Sequence, residues 1–424
     1  VINGHAIKDI VESQGLEHTC SLLEQEIIDG KVRPEDFSFR ELAEAFCGHE
    51  WVAKLDPRRQ ARFSQFRSVM EAGEGVDVTA FGNITGQIIY SKINQGWNGT
   101  AFIGDKFFET VPTMFDGEKV PGIGRIPSEG FNIRPGQPYP EMGFGEQFWS
   151  TPSTAKHGGI LSLTKEAIFF DRTGLLLRRA GEIGESLRWN KEDRQLSCIG
   201  GLSIPVGNQA NEVFYGQNHN WNGTAVSTYS TSTTASSATV IGQNSQATTP
   251  LTDWTSVNTA IQLFDQLLDP DTLRPISIMP NILLVMPQNF MNARRIIRAT
   301  NVRETTPGFA TSGNVQQTDA PNPLDNYEIV KSPRFRQLVL NYGSGGTSTA
   351  AGTALTAAQA DAWWFLCEPK RAFWYMENWP LTVLQAPTNS IKEFEQDIVM
   401  RWKGGERGVP FVADPRYIVK MYNN

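Results

Sequence analysis

Between residues 5 and 72 the apolar positions fall at helical spacing: Ile7, Ile10 and Val11, then Leu22, Leu23 and Ile27, then Trp51, Leu55, Phe63, Phe66 and Met70. Turn residues at Gly30, Pro34 and Gly48 divide this block into about three helices. EAGEGVD, residues 71–77, reads as a linker, and a further helix is predicted over residues 83–94. From 111 to 159 Gly and Pro exclude long helices, while Val120, Ile123, Ile126, Phe144 and Phe148 leave room for the two arms of an extended hairpin. A helix is predicted to start at Thr164, to break near residues 171–174, and to resume with Leu176, Ala180, Ile183 and Leu187 on one face. Its other face carries Arg178, Arg179, Glu182, Glu185 and Arg188 and reads as solvated. Gly181 and Gly184 lie inside it, where each costs about 1 kcal/mol relative to Ala. Close packing or a capacity to bend must favour them.

The second half is patterned differently. Residues 199–252 hold one charged side chain, Glu212, and the stretch TAVSTYSTSTTASSATVIGQNSQATT reads as a long loop or irregular ribbon facing solvent or another copy. Residues 342–360 read as a second uncharged loop. Between them the pattern is α/β: a helix carrying Trp254, Val257, Ile261, Phe264 and Leu268, a buried strand NILLVMP, a helix FMNARRIIRAT and a strand near YEIV. The closing segments DAWWFLCEP, AFWYMENWPLTVLQAP, FEQDIVMRW and YIVKMY read as an antiparallel sheet, with KGGERG as the turn between the third and fourth. The predicted fold class is α+β.

Composition narrows the function. With 424 residues, 40% hydrophobic content, 11 Trp and 24 Phe, the chain can bury a sizeable core. VINGHAIKDIVESQ carries Lys and Asp where a signal peptide needs an apolar stretch, so a protein made and used without export, and without a membrane partner, is expected. Cys20, Cys47, Cys198 and Cys367 are too scattered for a disulfide framework and read as buried small hydrophobes. Net charge is −7, with 9 Lys/Arg against 14 Asp/Glu in residues 1–75. The densest basic groups are pairs such as Arg58-Arg59, Arg178-Arg179 and Arg294-Arg295, which disfavours tight nucleic-acid binding but allows loose contact.

Candidate chemistry is sparse. His18-x-Cys20 and Cys47-x-His49 have poor geometry for zinc, because positions two apart on a helix point to different sides. No metal or cofactor is expected. Asn83-Ile84-Thr85, Asn98-Gly99-Thr100 and Asn222-Gly223-Thr224 fit the glycosylation pattern but read as turn residues. Gly122-x-Gly124 is too short for a nucleotide loop, no G-x-S-x-G occurs, and His157 and His219 lack triad partners in the pattern. No catalytic residue stands out. A carbohydrate-active enzyme, suggested by abundant Trp and carboxylates, is the rival reading from another class.

The extended loop, FFDRTGLLLRRAGEIGESL, AFWYMENWP, FEQDIVMRW and DPRYIVK, in that order, resemble a tailed-phage major capsid protein over residues 79–205 and 253–424. The resemblance implies the Hong Kong-phage-type shell fold, shared with encapsulins. Residues 1–75 would be an acidic helical N-terminal region, 76–112 the N-arm and start of the peripheral domain, and 113–160 the extended loop. Residues 161–204 would form the spine helix, 205–252 an insertion, 253–366 the axial domain and 367–424 the return strands of the peripheral domain. The implied function is structural: self-assembly into the icosahedral head that encloses a tailed phage's dsDNA, found in the virion and assembled in the host cytoplasm. Implied partners are copies of the chain in hexamers and pentamers, a portal, cement or scaffolding proteins, and non-specifically contacted dsDNA. An encapsulin-like compartment is the alternative within the class.

A closed shell needs one surface that projects and another that receives. A lone two-stranded ribbon is marginal in water, which is tolerable if its arms lie on the next subunit. Phe131, Tyr139, Met142, Phe144, Phe148 and Trp149 are the candidate inter-subunit contacts, since aromatics each bury about 150–250 Å². Gly181 and Gly184 are the candidate bending points of the spine, and replacing both by Ala is expected to leave the monomer fold intact. Some relatives cross-link a loop Lys to an Asn, which by resemblance points to Lys119 or Lys156 with Asn378 or Asn389. No motif fixes that pairing, and noncovalent clasping is expected.

Overall fold

The computed structural model describes residues 4–14, 18–19, 22, 25–26, 75–99, 102–121, 134–138, 148–164, 175–205, 213–215, 218–221, 224–231, 242–268, 275–306, 316–322, 324, 327–343, 355–386 and 398–423. In chain order the helices are α1 (Gly4–Gln14), α2 (Gly75–Trp97), α3 (Gly104–Phe107), α4 (Leu175–Gly200), α5 (Trp254–Asp265), α6 (Phe290–Arg298), α7 (Pro333–Tyr342) and α8 (Ala357–Asp361). The first strands are β1 (Phe108–Pro112), β2 (Lys119–Pro121), β3 (Phe148–Ser150), β4 (Ala155–Thr164), β5 (Ser203–Pro205), β6 (Val213–Tyr215), β7 (Asn218–Trp221) and β8 (Thr224–Ser227). They are followed by β9 (Ser245–Ala247), β10 (Ile282–Val285), β11 (Asn301–Thr306), β12 (Gln316–Pro321), β13 (Glu328–Lys331), β14 (Trp364–Cys367), β15 (Phe373–Gln385), β16 (Ile398–Val412) and β17 (Ile418–Tyr422). The chain forms two compact units. The first comprises Val1–Ala101, Lys156–Lys191 and Trp379–Arg407; the second comprises Phe102–Ala155, Glu192–Asn378 and Gly408–Asn424.

The second unit is organised by a five-stranded sheet of order β13-β10-β14-β17-β9. ILLV and WFLC are uninterrupted apolar runs because alternate residues enter different cores on the two faces, as a sheet covered on both sides requires. Ile282, Leu284, Phe365 and Cys367 pack on one side with Phe335 and Val339 of α7 and Leu196 and Ile199 of α4. Leu283, Val285, Trp364 and Leu366 pack on the other with Val257 and Phe264 of α5 and Ala293 and Ile297 of α6. The helix starts follow the sequence: Asp253 accepts from the amides of Thr255 and Ser256, Ser332 caps Phe335 just ahead of Pro333, and Thr356 with Gln359 forms a capping box. The predicted helix, strand, helix and strand between residues 254 and 331 are all present.

The closing strands depart from expectation. β14 and β17 are direct antiparallel neighbours, Cys367 opposite Ile418, inside the five-stranded sheet. β15 and β16 instead belong to a second sheet of order β1-β15-β16-β4, in which β1 runs parallel to β15 from Phe108↔Phe373 to Pro112↔Glu377. KGGERG is not a turn but lies within β16. Its glycines answer to close approach: in the first unit a β-carbon on Gly404 would sit 3.3 Å from Leu187 Cδ1, and one on Gly405 3.3 Å from the His157 carbonyl oxygen.

β4 lies where the sequence pattern predicts the end of a loop and the start of a helix. Its burial alternates from Ala155 to Ser162, the period of a half-covered strand, and Thr164 is its last residue; the helix start and break expected over residues 165–174 lie outside the described residues. Gly158-Gly159 disguised the pattern; a β-carbon on Gly158 would lie 2.7 Å from the Gly404 carbonyl oxygen. The linker reading of residues 71–77 is corrected for residues 75–77, which belong to α2, Gly75–Trp97, longer than the predicted residues 83–94; residues 71–74 lie outside the described residues. Gly and Asp oppose an isolated helix, but tertiary packing carries most helical stability.

The Ser/Thr-rich insertion is not merely a surface loop. It supplies β7, β8 and β9, and β9 runs parallel to β17 with Ser245 opposite Lys420. Asn244 is fully buried: its Oδ1 accepts from Ser230 N at 2.7 Å, and its Nδ2 donates to the carbonyls of Thr228 and Pro415 at 2.8 and 3.0 Å. One polar side chain thus satisfies backbone groups within the insertion and in the turn before β17, which composition alone does not announce.

Lys420, 3% exposed, is the buried charge with a readable pH consequence. Its Nζ lies 3.4 Å from the Trp363 ring centre, 5.2 Å from Tyr229 and 5.5 Å from Tyr422. Burial pushes its pKa from 10.5 down to about 7, while the ring faces favour the cation and oppose that shift. Between those two values the unfolded chain holds a proton that the folded chain does not, so this residue makes stability rise with pH from about 7 towards 10.5 and adds no slope below 7. Lys420→Met is expected to raise stability at pH 7 and to remove this slope, read from urea denaturation across that window.

Candidate inter-subunit assembly site

Of the hairpin arms expected between residues 111 and 159, the described parts pair with each other. β2 and β3 pair antiparallel, with Lys119, Val120 and Pro121 opposite Ser150, Trp149 and Phe148. Between them the exposed residues 134–138 contain a tight turn in which Gln137 N donates to Arg134 O at 3.1 Å. Gly136 follows Pro135 with φ of +87°, the combination that a type II turn requires. The Pro-Gly dipeptide was the available signal for it. Phe131, Tyr139, Met142 and Phe144 lie outside the described residues; Phe148 and Trp149 occupy β3, where only their backbone is described.

The base of the ribbon is not two-stranded. β3 also pairs with β7, Trp149 opposite Trp221 and Ser150 opposite Asn220, and β7 continues into β8. The resulting order, β2-β3-β7-β8, is completed within one chain. The insertion therefore adds two strands to an element that would be marginal alone. Nothing in the sequence joined these segments, which lie about seventy residues apart.

In the first unit α4 meets α2 backbone to backbone. A β-carbon on Gly184 would overlap the Ile93 carbonyl oxygen, and one on Gly96 would overlap the Gly181 carbonyl oxygen. Gly181 is less constrained, since its β-carbon would lie 3.3 Å from the flexible end of Lys92. The expectation that Ala at both 181 and 184 leaves the fold intact is thereby corrected for Gly184. Ile88, Ile89 and Ile93 of α2 and Ala180 and Leu187 of α4 are buried, as the predicted stripe required. Arg188 is not on a solvated face: it is 4% exposed and lies 5.6 Å from the Trp97 ring, which Lys191 also approaches at 5.5 Å. Glu182 and Glu185 are exposed, and the Arg178 and Arg179 side chains lie outside the described set.

Glu192, 1% exposed, accepts the amides of Ile103 and Gly104 at 2.9 and 3.0 Å, anchoring the start of α3. Cys198 and Cys367 are buried, and burial pushes both thiols far up, so they are inert hydrophobes as read. Cys20, Cys47 and His49 lie outside the described residues, while His18 is exposed. Among the described residues no cluster of three His, Cys, Asp or Glu could hold a metal, and no helix is long and apolar enough to cross a membrane. Lys119 and Lys156 are exposed; Asn378 donates to the carbonyls of Thr113 and Phe115, and Asn389 is outside the described residues.

A family model described as phage capsid protein matches residues 149–421. The chain belongs to the phage capsid protein family. It is therefore a capsid shell protein, a structural component of a virion built from self-assembling subunits, with a mixed α+β capsid fold. Its structure is similar to the capsid of cyanophage P-SCSP1u, at 13% identity over 76% of this chain and 88% of that one with a TM-score of 0.40. It is also similar to Gordonia phage Cozz, at 13% identity over 75% and 84% with a TM-score of 0.38. The holo-SrpI encapsulin complex of Synechococcus elongatus PCC 7942 shares 9% identity over 75% and 84%, with a TM-score of 0.36. No curated protein sequence matches the chain.

Proposed function

We propose that this chain is the major capsid protein forming the icosahedral head around the dsDNA of a tailed phage, with hexameric and pentameric capsomers assembled in the host cytoplasm. The observation that carries this reading is the family match spanning residues 149–421. Physical support comes from a projecting ribbon whose base is braced by β7 and β8 and from the long helix α4. In this reading residues 113–160 are the extended loop, 161–204 the spine, 253–366 the axial domain and 367–424 the return strands. Phe131, Tyr139, Met142, Phe144, Phe148 and Trp149 face the next subunit, and Gly181 and Gly184 let α4 adjust against α2 during maturation. A portal, a cement or scaffolding protein and loosely held DNA complete the particle. The uncharged character of residues 213–252 outside Asn244's anchorage suits a surface that does not grip phosphate.

Electron microscopy of the purified full chain tests this. Large shells, tubes or ring-shaped capsomers are expected. A small closed compartment would point to an encapsulin-like shell instead, and a small discrete oligomer would contradict assembly altogether.

A further inference from the structure

The turn joining β1 to β2, TMFDGE at residues 113–118, displays the most exposed pair of adjacent large apolar side chains among the described residues: Met114 at 96% and Phe115 at 68%. The turn is tightly held. Thr113 Oγ1 donates to Glu118 Oε2 at 2.6 Å and accepts from Phe115 N at 3.2 Å. Asp116 Oδ1 accepts from both the amide and the hydroxyl of Thr154 at 2.7 and 3.2 Å. Glu118 N donates to Thr151 Oγ1 at 2.8 Å, and Asn378 Nδ2 donates to the carbonyls of Thr113 and Phe115 at 3.1 and 3.2 Å. Gly117 supplies the left-handed φ of +74° that closes it. Two separate segments, residues 151–154 and Asn378, therefore fix a short loop whose two largest apolar side chains touch solvent.

Such fixing fits a binding anchor, because the ordering that an interface must otherwise impose is already done. From this geometry we infer that the Met114–Phe115 turn is a preformed apolar anchor that seats on an adjacent copy of this chain. The choice of occupant rests on the shell reading above, in which every lateral neighbour is another copy. It also rests on chemistry. Residues 113–118 contain no Lys or Arg for phosphate, and Glu118 and Asp116 accept from Thr113 and Thr154, so the turn shows its apolar pair beside carboxylates that repel nucleic acid. The area argues the same way: two side chains cover far less than the ~1,000 Å² that a free-standing specific interface needs. The contact is effective only when repeated around a ring, where each subunit is already held by others.

A photo-cross-linking residue placed at position 115 of the full chain, in a mixture of isotope-light and isotope-heavy copies, tests the assignment. Light-to-heavy cross-links are expected in assembled particles and not in dissociated chains. Met114→Ser with Phe115→Ser should fold with an unchanged melting profile yet raise the concentration needed for assembly about tenfold or more, while Phe115→Leu should assemble near the wild-type concentration. Cross-links confined to the same copy, cross-links to a different protein, or an unchanged assembly threshold in the double Ser variant would overturn this inference while leaving wild-type shells intact. Wild-type chain that forms no particle would overturn the shell reading and this inference together.

Discussion

Asp414→Ala is expected to cost about 3–5 kcal/mol of stability, the range for removing one partner of a buried ion pair. The side chains of Arg416 and Asp414 are 4% and 1% exposed, and the pair is bidentate: Arg416 Nε donates to Asp414 Oδ1 at 2.9 Å and Nη2 to Oδ2 at 2.8 Å. The same carboxylate accepts the Arg416 amide at 3.0 Å and so shapes the short helical turn leading into β17. β17 sits between β14 and β9, so loosening its entry disturbs the middle of the main sheet. Removing both charges, as Asp414→Ala with Arg416→Met, should recover much of the loss, because no guanidinium then remains buried without this carboxylate. Denaturation of the single and double variants measures the difference. Equal losses in both would show that the pair's shape matters and its charge balance does not.

Gly184→Val is expected to destabilise the first unit by about 3 kcal/mol or more, at the upper end of overpacking costs. The obstacle is the Ile93 carbonyl oxygen, a backbone atom that cannot rotate away, so α2 and α4 must separate to admit any side chain. Gly181→Ala is the informative contrast. Its new methyl meets the Lys92 side chain, 3.3 Å from Cε and 3.6 Å from Cγ, and no backbone atom, while the helix gains about 1 kcal/mol of propensity, so a neutral or stabilising effect is expected. Thermal melts of the two variants separate close packing from bending. If Gly184→Val melts with the wild type, the backbone contact does not hold the pair together.

The elements legible in advance were those whose signal is local. ILLV, WFLC and FMNARRIIR declare strand, strand and helix through apolar period and length, whereas the pattern did not announce α7, and α8 starts inside the expected loop of residues 342–360. What the sequence hid was set by distant backbone. Gly158, Gly404 and Gly405 look like turn residues, yet they lie in neighbouring strands that approach too closely for side chains. Arg188 reads as a solvated charge because nothing local shows that Trp97 covers it. The pairing of β3 with β7 depends on a chain reversal through a polar insertion whose composition suggests only a loop. For the assembly site, the hairpin arms and the spine were visible from Gly/Pro punctuation and helical spacing. The Met114–Phe115 turn was not, since its rigidity comes from Thr151, Thr154 and Asn378, which join it only in the folded chain.

The central claim is that copies of this chain fasten to one another into a shell. Sedimentation velocity of the purified full chain, followed across rising concentration, tests it most directly. A sharp threshold above which most of the material moves as particles of very many copies is expected. A chain that sediments as a monomer or small oligomer at every concentration would contradict it.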